Sequence, residues 1–93
     1  PQLVHDVINA LGPDRMIVLV NLFGSWEEDN PTLQAVAAAH PNVIIADWYS
    51  AISAHPGLLQ PDGVHPNVQG EQLYSDVIQD AFAQLSARLT AHR

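Results

Sequence analysis

The sequence contains no cysteine and no lysine, and it has no long apolar run. The first absence excludes disulfides and thiolate chemistry, while leaving the redox compartment open. The second leaves Arg15, Arg88 and Arg93 as the whole basic complement, against ten acidic residues and a formal net charge of -7. Nucleic acid is therefore a poor partner, since a phosphate backbone is held by many basic side chains that release counterions. An anionic membrane surface is disfavoured by the same sign. No stretch approaches the roughly 18–20 apolar residues needed to span a bilayer, and the start Pro1-Gln-Leu-Val lacks a basic n-region. A chain beginning at proline without an initiator methionine predicts a processed or excised piece, with targeting information upstream. With 93 residues the chain is one domain at most. A chain of this size buries only about 60–65% of its unfolded surface, which keeps stability marginal.

What is present reads as an α/β chain. Leu3, Val4, Val7, Ile8 and Leu11 recur at three-to-four spacing before Gly12-Pro13, predicting a helix over 2–11. The run from Met16 to Phe23 is β-branched and apolar, as expected of a parallel strand covered on both faces. The polar segment 24–30 follows it, at the strand end where open α/β sheets carry their binding loops. Asn30 before Pro31 fits an N-cap, with Leu33, Val36, Ala37 and His40 on one helix face and Pro41 as terminator. Residues 42–47 read as a second strand, and Trp48 to Ser53 as a short helix capped by Asp47. The last helix begins between Asn67 and Gly70. It carries the stripe Leu73, Val77, Ile78, Ala81, Phe82, Leu85 and Leu89, and is expected to fray past Arg88. Two strands leave hydrophobic sheet edges unpaired, which predicts that a second polypeptide or another copy of the chain supplies the missing strands.

The chemistry concentrates in Asp62-Gly-Val-His65-Pro-Asn67-Val-Gln-Gly70. An Asp and a His three residues apart, in a loop stiffened by glycine and proline, can serve as orienting acid and general base of a nucleophilic triad. The plainer alternative is an Asp-Gly turn and a helix cap that include a histidine. That alternative accounts for Gly63 and Pro66 but not for the imidazole. The pattern D-G-x-H-P-N-x-x-G ahead of an amphipathic helix resembles the last sequence block of the SGNH (GDSL-type) hydrolases. Val43-Ile-Ile-Ala-Asp47-Trp48-Tyr49 is similar to SGNH domains fused to membrane acyltransferases, the group containing peptidoglycan O-acetyltransferases.

The resemblance implies that residues 1–93 are the carboxy-terminal portion of one SGNH-type domain, part of a flavodoxin-like three-layer parallel sheet. It implies Asp62 and His65 as catalytic acid and base, and an acetylated glycan or small ester as substrate. No metal or organic cofactor is implied. An extracytoplasmic setting follows, with a membrane domain possible in the full-length protein. The Gly-Asp-Ser block that carries the family's serine is absent, so a complementary serine-bearing segment or a second copy must bring it. The oxyanion hole loses two donors with that block, and one such donor is worth about 10²–10³ in rate. Of the five serines, Ser25 alone lies in a loop after a strand, while Ser50, Ser53, Ser75 and Ser86 fall on expected helices. Two rivals are a stand-alone esterase using Ser25 and a non-catalytic interaction module.

Other candidates are weaker. Asn21 could aim its amide at a cleft, but a hydrogen bond to a neighbouring strand or loop explains it as well. Trp26 could stack on a sugar, and Trp48 reads as core. His55, Asp62 and His65 lie within ten residues of one another, but match no zinc spacing. His5, His40 and His92 have no partner by spacing and read as surface residues, the last two near helix carboxyl ends. Glu27-Glu28-Asp29 reads as a solvated cap.

Overall fold

The computed structural model describes residues 2–91. His92 and Arg93, like Pro1, lie outside the described residues. Helix α1 (Gln2–Leu11) leads through Gly12 into strand β1 (Ile17–Val20). A 3₁₀ turn (Glu27–Asp29) runs into α2 (Asn30–Ala38), followed by β2 (Val43–Ala46) and α3 (Trp48–Ser53). A second 3₁₀ turn (Pro56–Leu58) precedes the long α4 (Val68–Ala91). Among the described residues the sheet has two strands, paired in parallel with Ile17 opposite Val43 and Val20 opposite Ala46.

Alternation along the strands divides the core. Ile17, Leu19 and Ile45 pack against a buried cluster of Ile8, Val36, Ala37 and Val43, joined by Val4. One sheet face is thus filled by α1 and α2. Val18, Val20, Ile44 and Ala46 face the other way, and α4 lies against both strands with Ala81 and Leu85 buried. Trp48 is buried, as its sequence position suggested, and meets Tyr74 edge-on with ring centroids 5.0 Å apart. Asn42 is the one buried polar side chain among the described residues. Its amide donates to the Gly12 and Arg15 carbonyls at 3.2 and 2.7 Å, pinning the α1–β1 connection to the foot of β2.

Several expectations are corrected. Asn30 does not cap α2: the 3₁₀ turn ahead of it is already helical in backbone, and the Asn30 amide instead grips both the N–H and the C=O of Leu22, each at 2.7 Å. That grip, with Asn21 turned toward the next loop, is why β1 stops at Val20 rather than Phe23. His40 lies beyond the end of α2 and pairs with His5, Nδ1 to Nε2 at 2.8 Å and partly buried, so neither is a free surface residue. Helix α4 stays regular to Ala91, and Phe82 lies off its buried stripe, well exposed. Arg88 helps hold that last stretch by donating to the carbonyls of Pro41 and Val43.

Gly70, in the first turn of α4, is fixed by a close approach. A methyl group there would overlap the Leu58 carbonyl oxygen and stand 2.9 Å from Pro66 Cβ. Alanine normally gains about 1 kcal/mol over glycine in a helix, but here the obstacle is backbone and cannot swing aside. Gly70→Ala is expected to cost about 1–3 kcal/mol net, lowering the melting temperature by about 4–8 °C per kcal/mol. Thermal denaturation followed by circular dichroism checks this, and an unchanged midpoint would refute the contact.

Candidate active site

The loop between the second 3₁₀ turn and α4 is closed on itself before it carries any chemistry. Leu59 and Pro66 form an isolated antiparallel bridge, and the Gln60 N–H donates to the His65 carbonyl at 2.7 Å. The Gln60 side chain reaches the Pro66 carbonyl at 3.2 Å. Gly63 takes the tip in the left-handed region, φ +71°, a conformation that L side chains rarely adopt. Its N–H closes a turn onto the Gln60 carbonyl at 2.9 Å.

Asp62 then organises the tip. Its Oδ1 accepts from the backbone N–H groups of Val64 and His65 at 2.9 and 3.0 Å, an Asx-type turn. Its Oδ2 meets His65 Nδ1 at 2.6 Å. The structure therefore brings the two sequence-predicted residues together directly. The His65 bond, and after it the two backbone N–H groups, hold the Asp62 carboxyl down to about 2 from the usual 3.8. An ionised carboxylate only accepts, which assigns the proton of that bond to Nδ1 and aims Nε2 away from Asp62. Nε2 has no hydrogen-bond partner among the described residues. Both side chains are open to solvent, His65 at 72% and Asp62 at 45% exposure.

Asn67 anchors the loop to the helix. Its Oδ1 accepts from the Gly70 N–H at 2.9 Å, its Nδ2 donates to the Gly57 carbonyl at 3.1 Å and its own N–H donates to Leu58 at 2.8 Å. The sequence places a helix start here, and the structure adds the anchoring role of Asn67. The Asn-x-x-Gly spacing, N-cap to third helical residue, was the available signal.

The carboxyl end of β1 reaches the same neighbourhood. Gly24, at φ +95°, lies so that a side-chain carbon built on it would stand 3.6 Å from both γ carbons of Val64. Ser25 and Trp26 follow in this turn and are exposed, and Ser25 makes no hydrogen bond to His65. Ser50 and Ser53 lie on α3, Ser75 and Ser86 on α4. Asn21 Nδ2 donates to Asp47 Oδ1 at 2.8 Å, and its Oδ1 accepts from the Tyr49 N–H at 2.8 Å. It thus stitches β1 to the β2–α3 turn. That bond is the main reason the Asp47 carboxyl lies below its ordinary value, with the Ser50 N–H adding to it as the α3 cap. Among the described residues no three His, Cys, Asp or Glu side chains converge on a common point, so His55, Asp62 and His65 form no ligand set.

Fold and site together define an α/β segment that presents an oriented imidazole–carboxylate pair at the carboxyl end of a parallel sheet. In sequence, the chain is similar to a short segment of the peptidoglycan O-acetyltransferase OatA of Listeria monocytogenes, 43% identical over 49 residues. It is likewise similar to the putative peptidoglycan O-acetyltransferase YrhL of Bacillus subtilis, 39% identical over 58 residues. These matches take in 53% and 61% of this chain but only 8% and 9% of those proteins. No protein-family model matches the chain, and no solved structure does.

Because its folded pKa lies below the ordinary value, Asp62 stabilises the loop fully above pH 3.8 and gives that up as the pH falls toward about 2. Carboxyl-carbon NMR titration is expected to show Asp62 ionised well into the acid range, and His65→Ala should move its midpoint back toward 3.8. A midpoint indifferent to that substitution would mean that the imidazole does not hold the carboxylate.

Proposed function

We propose that this chain is the carboxy-terminal portion of an SGNH-type domain that transfers or hydrolyses acyl groups on cell-wall glycan, with Asp62 and His65 as its acid and base. The observation that carries the reading is the 2.6 Å contact between His65 Nδ1 and an Asp62 carboxylate whose other oxygen is already fixed by two backbone N–H groups. A carboxylate held in this way sets both the tautomer and the ring plane, which is what a general base requires of its orienting acid. Similarity to two peptidoglycan O-acetyltransferases supports the acyl chemistry and the glycan. It also favours the cell envelope as the setting.

The serine comes from a segment outside this chain. Its Oγ attacks the carbonyl carbon of an acetyl ester while His65 Nε2 takes the hydroxyl proton, and that proton passes to the departing alcohol as the acyl-enzyme forms. A glycan hydroxyl, or water, then yields its proton to the same Nε2 and attacks the acyl carbon, and that proton returns to the serine Oγ as the acyl–Oγ bond breaks. Asp62 stays ionised throughout and stabilises the imidazolium of each step. The exposed indole of Trp26, in the turn beside Val64, offers a stacking face for a sugar ring.

The test is turnover of 4-nitrophenyl acetate and of an acetylated glycan by the complete polypeptide that contains this chain. His65→Ala and Asp62→Asn are each expected to lower kcat by about 10²–10⁴, with KM little changed. Trp26→Ala is expected to raise KM for the glycan and leave the small ester unaffected. Parent-level turnover in His65→Ala would overturn the reading in favour of a non-catalytic module, and an equal loss in Ser25→Ala would locate the nucleophile in this chain instead.

A further inference from the structure

The foot of the sheet holds a pair of imidazoles that the chemistry above does not use. His5, midway along α1, and His40, just past α2, meet Nδ1 to Nε2 at 2.8 Å. Their ring centroids are 5.1 Å apart and the planes are tilted by 44°, so the rings meet edge to edge and are not stacked. Each of the two nitrogens thus aims at the space between the rings. One proton serves both, because a neutral imidazole donates at one nitrogen and accepts at the other. His5 Nε2 and His40 Nδ1 have no hydrogen-bond partner among the described residues. The pair stands at the opposite end of the sheet from His65, since the Val43 N–H, which opens β2, donates to the His40 carbonyl at 3.2 Å.

The surroundings suit a cation. A cavity of about 260 Å³ lies against His40, and Asn9 and Asn42 also line it. Asn42 is buried and spends its amide N–H groups on the Gly12 and Arg15 carbonyls, while its Oδ1 accepts nothing among the described residues. Asn9 stands one turn after His5 on the same side of α1. The Arg88 guanidinium, which shares a neighbouring hollow with His40, is already given to the carbonyls of Pro41 and Val43. Helix α1 also has the most to gain from a further tie, because Ile8 is its one buried side chain.

We infer that His5 and His40 are the protein ligands of a divalent transition-metal site, with Zn²⁺ as the ion that fits best, and that the bound ion clips α1 to the α2–β2 connection. Imidazole suits zinc and its neighbours, whereas calcium and magnesium ask for oxygen. Zinc holds imidazole nitrogen at about 2.0–2.1 Å in a tetrahedral shell, which sets two such nitrogens about 3.3 Å apart. The pair therefore opens by roughly half an ångström, and each ring swings off the line of centres. Both side chains are only partly buried, which leaves them that movement. The shared proton is not lost: it moves to the outer nitrogen of the ring that carried it, so both rings stay neutral and both inner lone pairs bind the ion. Water fills the other positions from the cavity, where Asn42 Oδ1 and the Asn9 amide are available to it. The clip joins residues 35 positions apart. It does not rest on the acyl-transfer reading.

Titration of the complete polypeptide that contains this chain with Zn²⁺, followed by calorimetry and by hydrogen exchange of segment 2–11, tests this. Loss of a partner one shell out from a metal weakens binding by about 10–100-fold, so removing a ligand outright, in His5→Ala or His40→Ala, is expected to weaken Zn²⁺ binding by about 10²-fold or more. Saturating Zn²⁺ is expected to slow exchange in 2–11 by about 10-fold or more, because an ion held only by the closed form stabilises it. His40→Gln separates the ion from the hydrogen bond, since an amide still bonds to the His5 ring but is a poor zinc ligand. Its metal-free exchange should match the parent, and its response to zinc should vanish. Zn²⁺ affinity unchanged in either alanine variant, a zinc response that survives in His40→Gln, or exchange in 2–11 indifferent to bound Zn²⁺ would overturn the inference and leave the pair as a shared hydrogen bond.

Discussion

Asn67 is the residue on which the geometry of the loop depends. Its backbone N–H, its backbone carbonyl and both ends of its side-chain amide are all engaged, with Leu58, Glu71, Gly57 and Gly70. The segment that leaves the second 3₁₀ turn and the helix that follows it are thereby locked to one point. Gly70 permits that closeness, because any side chain there would meet the Leu58 carbonyl. The loop between these fixed ends has little freedom left, and the Leu59–Pro66 bridge removes more of it. An imidazole displayed on such a frame keeps its position without being buried. Preorganisation here comes from backbone hydrogen bonds and not from packing.

The same economy holds at the ends of the strands. Asn21, Asn30 and Asn42 each use a side-chain amide to finish what the short strands leave open. Asn42 ties the start of the sheet, Asn21 joins the carboxyl ends of β1 and β2, and Asn30 closes the far end of the β1 edge. Four-residue strands alone would make a weak pair. With these amides, the carboxyl end of the sheet becomes a defined platform on which the turn at Gly24 and the loop at Val64 can touch.

How much of this was legible in the sequence depended on range. The helices α1 and α4, both strands and the Asp47 cap follow from periodicity and capping chemistry within a dozen residues of chain. The Asp62–His65 contact was legible for the same reason: the partners are three residues apart, and Gly63 marks the turn that folds one onto the other. What escaped was set at long range. His5 and His40 lie 35 positions apart, and their pairing depends on how α1 crosses the end of α2. Asn30 satisfied every local rule for an N-cap and was drawn to Leu22, since two hydrogen bonds to a strand's bare edge outweigh one to a helix start already extended by a 3₁₀ turn. Phe82 shows the limit of a helical stripe: a two-stranded sheet is too narrow to cover all the apolar residues that α4 presents.

That narrowness bears on the chemistry as well. A hydrogen-bonded imidazole and carboxylate in open water are stabilised only weakly by their mutual charge, because solvent screens them. The low position of the Asp62 carboxyl comes chiefly from directional hydrogen bonds, which survive exposure, and burial contributes no favourable part of it. Acyl transfer asks for more than orientation: donors aimed at a developing oxyanion work best where water is excluded. On the proposed function, the segment that brings the serine would therefore have two further tasks. It would have to wall off His65 Nε2 from bulk water and supply oxyanion donors. On that proposal, an imidazole oriented by Asp62, with Nε2 unpartnered among the described residues, would be the half of such a site that forms from local hydrogen bonds alone.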